Sequence, residues 1–383
     1  MTVSVRTDES VSRAQASGPA SEAVTSIIAT LRDELAGRPA AVVLYFASAD
    51  YAPADLAAPL AAAFAEASVV GCSTAGEFTD LASGTHGVTA VALPAGIIGR
   101  HAAALGDLTT DAAIGTQDAL RAVEAQLGTS LRSLDHETWL GFVLIDGMHG
   151  AEEVVNEQIG NAAPLLNVVG GSAGDDLAFN RTWVAVGDQV SWQGVACVIV
   201  EALVPFQVLK TCSFTPTDTV LRITKADVAT RTVWEFDGRP ALDVYAEALG
   251  MDPSTIDASA FLEHPVGLMI DGEPFIRSPQ QIVGDKGIRF YCQILEGMDV
   301  ELMQAGDLVA DTAAALARIR EHLGTPSGAV LFNCILRRLE LDATGQMEPF
   351  VAALSGIPSA GFHTYGETWL GHINQTLTGV VFA

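Results

Sequence analysis

Three stretches of the chain are apolar runs that end in polar or glycine residues: "AVVLYFASAD" (41–50), "WLGFVLIDGMHG" (139–150) and "GAVLFNCILRR" (328–338). Short runs rich in Val, Leu and Phe predict buried strands that enter loops at their carboxyl ends. Each is followed by a stretch of helical character: "PADLAAPLAAAFAEA", "AEEVVNEQIGNAA" and "QMEPFVAALSG". Next come "VVGCSTAGEFTD", "VVGGSAGDDLAFN" and "SAGFHTYGETWLG", which lead into the β-type runs "GVTAVALP", "GVACVIVEA" and "QTLTGVVFA". A unit of strand, helix, glycine turn closed by an acid, and strand thus recurs three times. Its positions align as Gly71/Gly171/Gly361, Ser73/Ala173/His363, Gly76/Gly174/Gly366 and Glu77/Asp175/Glu367, the second copy with a one-residue slip.

A strand–helix–strand crossover is right-handed and makes its two strands parallel. Ligands of open α/β sheets bind at the carboxyl edge of such strands. On that geometry Glu77, Asp175 and Glu367 are expected near Asp50, residues 146–149 and residues 333–338. Between the second and third copies the pattern changes. A helix is predicted from Pro240, hairpin turns at Asp237-Gly238, Asp271-Gly272 and residues 285–287, and an amphipathic helix over "LVADTAAALARIREHLG" closed by Gly324. The expected organisation is a disordered tail over 1–22, an N-terminal domain over 23–230 and a C-terminal domain over 231–383. The fold class is α/β, with mixed β-sheets built from repeated strand–helix–hairpin units in two packed domains.

Composition narrows the roles open to such a fold. With 383 residues, 49% hydrophobic and 17% charged, the chain can bury more than one core. The first 22 residues are polar and aperiodic, with no apolar core of a secretory signal. No apolar run reaches the ~18 residues of a membrane span. A cytoplasmic protein without a membrane role is expected. Its net charge of −26 repels nucleic acids and anionic lipid surfaces. The five cysteines form no C-x-x-C pair, which suits a reducing compartment and gives no thiolate metal site.

The glycine turns also hold nucleophile candidates. Residues 170–174 match G-x-S-x-G around Ser172, and Cys72 precedes Ser73 in the first turn. A hydrolase elbow leads directly into a helix, whereas "DDLAFNRTWVAVGD" reads as loop and strand. Cys72 has no neighbouring cation in sequence to lower its pKa. A hydrolase or thiol enzyme using Ser172 or Cys72 is therefore an alternative to a binding role, with a tight turn as the simpler reading.

Taken together, "VVGCSTAGEF", "LIDGMHGAEE", "VVGGSAGDD", "FDGRPALDVYAEALG", "LFNCILRRLEL" and "GFHTYGETWLGHINQTLTGVVF" resemble the FIST family, the F-box and intracellular signal transduction proteins. The resemblance spans residues 39–382, a FIST N part followed by a FIST C part. It implies a sensory module for a small ligand, amino acids being the proposed class, coupled to kinases, chemotaxis receptors or cyclic-nucleotide enzymes. It also implies an alternative, because a branch of the family holds haem as a nitric-oxide sensor. No kinase or cyclase segment is evident here, so output is expected through a separate signalling protein.

An amino acid needs an acid for its ammonium and a cation for its carboxylate. Glu77, Asp175 or Glu367 is expected to supply the first, and Arg337 or Arg338 a bidentate clamp for the second. Backbone amides of residues 147–150, where a helix begins, are expected to support the clamp. Ser73, Thr74, Asp146, His149, Asn333, His363, Tyr365 and Asn374 complete the candidate ligand-binding set. His149 or His363 is the candidate axial ligand in the haem alternative, although no C-x-x-C-H is present. The histidine spacings match no zinc motif. The leading expectation is a non-enzymatic sensor without a cofactor, with homo-oligomerisation open.

Overall fold

The computed structural model describes residues 9–383. Its elements fall into three units with one shared order. The first runs through an edge strand (Ser12–Ser17), a helix (Ala20–Leu35), a strand (Ala40–Ser48), a helix (Ala54–Ala63) and a strand (Ser68–Thr74). A small hairpin (Glu77–Thr79 with Ser83–Gly84) and a closing strand (Gly87–Pro94) follow. The second unit repeats this from the edge strand Ile98–Asp107 to the closing strand Gly194–Ala202, and the third from Phe206–Cys212 to Thr376–Phe382. The fold is α/β with several mixed sheets, as the apolar pattern predicts.

In every unit the two central strands pair in parallel: Ala40–Ser48 with Ser68–Thr74, Trp139–Ile145 with Asn167–Ser172, and Gly328–Cys334 with Ser359–Thr364. The helix between them supplies the crossover. The small hairpins do not stay at home, however. The first unit's hairpin pairs with Ser359–Thr364 of the third unit. The third unit's hairpin, Glu367–Thr368 with His372–Ile373, pairs with Asn167–Ser172 of the second. The second unit's hairpin, Val184–Val186 with Gln189–Ser191, pairs with Ser68–Thr74 of the first. Three six-stranded sheets result, each completed by a hairpin from another unit, in a closed cycle.

The sheets turn their inner faces toward one shared core, where Phe46 lies 4.8 Å from Phe362 and 6.2 Å from Phe332, ring to ring. Burying one such aromatic side chain contributes about 2–3 kcal/mol. The helices cover the outer faces in three separate clusters. Caps place two of them: Asp111 accepts from Ala113 and Ile114 N–H, and Asp307 from Val309 and Ala310 N–H. Each such cap stabilises its helix by about 1 kcal/mol.

The third unit carries an insert, residues 214–305, with its own sheet and core. Here the sequence reads closely. The helix begins at Ala241 after Pro240, and Asp237-Gly238 and Asp271-Gly272 take the positive φ values of tight hairpin turns. The helix Leu308–Leu323 stops at Gly324. Thr230 lies in the turn between the insert strands Phe214–Asp227 and Thr232–Phe236.

The expected tail needs correction over its described part. Ser12–Ser17 pairs antiparallel with Gly87–Pro94, and the helix Ala20–Leu35 buries Ile27 and Leu31. Its first turn rises from Pro19 and presents Ser21 and Glu22 to solvent, which masked it as polar sequence. Residues 1–8 lie outside the described residues. Among the described residues no helix is long and apolar enough to cross a membrane.

Candidate functional site

The recurring turns are where each hairpin leaves for its neighbouring sheet. Gly76 turns with φ +104°, and its carbonyl accepts from His363 N–H at 2.8 Å. Gly366 likewise accepts from Ser172 N–H at 2.8 Å, and Trp183 from Ser73 N–H at 3.0 Å. Ser73, Ser172 and His363 are therefore equivalent. Glu77 faces Phe362, Glu367 faces Gly171, and the matching place opposite Cys72 holds Val184. So the alignment of Asp175 with the two glutamates is corrected: nine residues, 175–183, precede the start of the second hairpin's register at Val184.

Glu77 and Glu367 are fully buried. The Thr74 hydroxyl donates to one Glu77 oxygen and Gly87 N–H reaches the other at 3.3 Å. Thr364 plays the same part for Glu367, with Thr376 N–H at 3.2 Å and its hydroxyl at 2.6 Å. Burial pushes the Glu77 carboxyl up to about 8, against the opposing pull of those hydrogen bonds, and Glu367 up to about 7. Both glutamates are shut away from solvent. They hold the crossing points of the hairpin exchange.

Arg337 and Arg338 follow the end of the Gly328–Cys334 strand on a helix, Ile335–Thr344, and so point to different sides. Arg337 is 1% exposed, donating to Asn333 Oδ1 and Thr312 Oγ1 at 2.8 Å each. Asn333 also meets His363 Nδ1 at 2.9 Å. Arg338 instead reaches Ala75 O and Asp176 Oδ1, the latter at 2.7 Å. Arg337 is thus enclosed and Arg338 is engaged by Asp176, so neither stands free as the expected bidentate clamp. His363 is buried with its ring 5.1 Å from that of Phe78. Cys72 and Ser172 are buried too, and burial pushes the Cys72 thiol well up. Their turns run on into strands or loop, not helices. Asn374 is also buried.

The open space lies elsewhere. A cleft of about 460 Å³ opens between the loop 147–150 of the second unit and the insert. Of the predicted residues it takes His149 and Tyr365, and adds Glu152, Arg231, Arg289 and Tyr291. Asp146 braces the loop from below, accepting from Met148 N–H at 3.0 Å and from the Thr182 hydroxyl. Asp175 organises the opposite lip. It gathers the N–H groups of Phe179, Asn180 and Arg181 at 2.6–3.0 Å and accepts from the Tyr365 hydroxyl at 2.5 Å. Phe179 then stacks on Tyr365 with ring centroids 5.3 Å apart.

Two arginines of the insert face this cleft. Arg231 ties insert to core, with Nη2 at 2.8 Å from Glu152 and 2.6 Å from Glu153, and Nη1 at 2.6 Å from Tyr291 O. The Arg289 side chain has no ion pair or hydrogen bond among the described residues, and its Nε is buried without a partner. Helix Glu152–Ala162 meets the cleft by its amino end, which no side chain caps. A guanidinium with no counter-charge on a cleft wall suits an anionic group. Arg231 and Arg289 carry no signal in the sequence pattern, each being a cation in a hairpin outside the repeats.

Comparison with known proteins identifies the family. The FIST N domain family model matches residues 41–239 and the FIST C domain family model residues 241–369. An uncharacterised protein of Methanocaldococcus jannaschii is 26% identical over 285 residues, 64% of this chain and 54% of that protein. The chain thus spans about half the length of that curated relative.

Proposed function

The chain belongs to the FIST family, FIST N followed by FIST C, and from that premise we propose that it is a non-enzymatic sensor whose cleft binds an amino acid or similar small carboxylate. FIST domains imply small-ligand sensing in signalling. The amino-acid class and the site are the further step. The carrying observation is Arg289, an arginine without counter-charge on a cleft wall in a chain of net charge −26. A carboxylate between Arg289 and the amides of His149 and Gly150 would bridge insert and core, the Gly147 and Met148 amides being held by Thr182 and Asp146. Leu177, Phe179 and Leu336 offer an apolar wall to the rest of the ligand. A ligand that binds the bridged arrangement better shifts the population toward it, and a separate signalling protein, such as a kinase or cyclic-nucleotide enzyme, would read that shift in the cytoplasm.

Thermal-shift and calorimetric screening against amino acids tests this. At a hundredfold excess over Kd a ligand stabilises the fold by about 2.7 kcal/mol, a clear rise in Tm. Arg289→Met is expected to lose at least tenfold in affinity while keeping the unliganded Tm. If no amino acid stabilises the protein while ligands of another class do, the assignment fails.

The haem reading rests on a single residue. His363 does not fit an axial ligand, being buried against Phe78 and bonded to Asn333. His149 does lie in the cleft wall. A Soret band that disappears in His149→Ala would favour this second reading, and a protein that stays colourless with added haemin would remove it.

A further inference from the structure

Behind the Glu152–Arg231–Glu153 contact lies a second cleft, of about 370 Å³, between the helix Glu152–Ala162, the Glu367–Ile373 hairpin and the insert. His372 lines it at 4% exposure, and neither ring nitrogen has a partner among the described residues. Beside it Arg277 donates to the His372 carbonyl, meets no carboxylate among the described residues, and keeps its Nε buried without a partner. A polar ring shut away with both nitrogens idle costs free energy unless something completes it. Asn156 and Gln293 also line this floor.

From these groups we infer that the second cleft is a binding site for a monocarboxylate carrying an aliphatic chain, distinct from the first cleft. One guanidinium with a neutral imidazole and the Gln293 side-chain amide matches a single negative charge better than a phosphate dianion, while the Asn156 amide is held by Glu152 O and Thr368 Oγ1. Burial lowers the His372 pKa, so its ring offers one donor and one acceptor. The charges facing it are Glu152, Glu153, Arg231 and Arg277. The two acids on the cleft wall do not oppose the assignment. Glu153 is already held by Arg231 and by Gln293 N–H at 2.6 Å, and Glu157 is exposed on the rim. The remaining wall is Ile159, Leu166, Val168, Met298 and the 74%-exposed Leu370, an apolar slot open at one end.

Calorimetric titration of the full chain with hexanoate tests the site. Saturable binding is expected in the wild type and in Arg289→Met, with a loss of at least tenfold in Arg277→Met. Arg277 also braces the hairpin, so a second variant carries the test independently. Gly160 lines the same cleft within a helix, and a Cβ there meets nothing within 4 Å. Gly160→Leu should fill the slot, abolish hexanoate binding and leave Tm no lower than wild type. The inference is overturned if hexanoate does not bind, if Gly160→Leu binds it as the wild type does, or if Arg289→Met alone removes binding. The last result would place hexanoate in the first cleft and leave the sensor reading intact.

Discussion

Gly170→Val is expected to prevent folding of the whole chain, not of the second unit alone. A Cβ at Gly170 would stand 1.8 Å from the Val143 carbonyl oxygen, on the strand with which it pairs. Gly361 repeats the constraint with 2.2 Å to the Leu331 oxygen, and Gly71 with 2.3 Å to the ring of Tyr45. By register these three are equivalent, so each unit brings its two parallel strands together over a glycine. A backbone oxygen in the middle of a sheet cannot retreat as a flexible side chain does. The loss should exceed the ~1–3 kcal/mol of ordinary overpacking and reach the rare class above about 4 kcal/mol. The cyclic exchange spreads the damage, because the second sheet also anchors the third unit's hairpin while its own hairpin completes the first sheet. Circular dichroism and soluble yield would show it, with Gly160→Ala, in open helical space, as the control that keeps or slightly raises stability. A Gly170→Val protein with a wild-type denaturation midpoint would contradict the close strand approach.

The same glycines mark what was legible in the sequence. Buried strands announce themselves by local composition, so the three units and their parallel pairs could be read directly. The exchange of hairpins could not, because Glu77–Thr79 has the same pattern whether it joins its own sheet or that of residues 359–364. Asp175 misled for a related reason. It follows a glycine as Glu77 and Glu367 do, but its carboxylate folds back on three backbone amides of its own loop. Arginine positions were the hardest to assign. Arg337 follows the strand end as a ligand clamp would, yet its helical setting turns it into the packed interior beside Thr312. The edge strand "SRAQAS" buries only Ser12 and Ala14, too little apolar surface to stand out from a polar tail.

Glu77→Gln should remove a large part of the pH dependence of stability between pH 5 and pH 8.5. Burial raises both Glu77, to about 8, and Glu367, to about 7, from the ordinary carboxyl value of 4.5. In that interval the folded chain holds protons that the unfolded chain has released. The stabilisation is fully present below pH ~4.5, and rising pH withdraws it until the folded pKa is passed. Each acid can contribute a slope of up to about 1.4 kcal/mol per pH unit within its window. Glutamine keeps the shape and neutrality of the protonated side chain at every pH. The variant should therefore resemble the wild type near pH 5 and exceed it at pH 8.5, with Glu367→Gln showing the same crossover ending about one unit lower. Urea midpoints of the wild type and both variants across this range decide the matter, since titrating groups that do not interact with the substituted acid cancel in the comparison. Parallel pH profiles would mean that the two acids are already ionised in the folded chain. The hairpin crossings would then have to hold two buried charges, with Arg338 as the cation that favours the ionised form of Glu77.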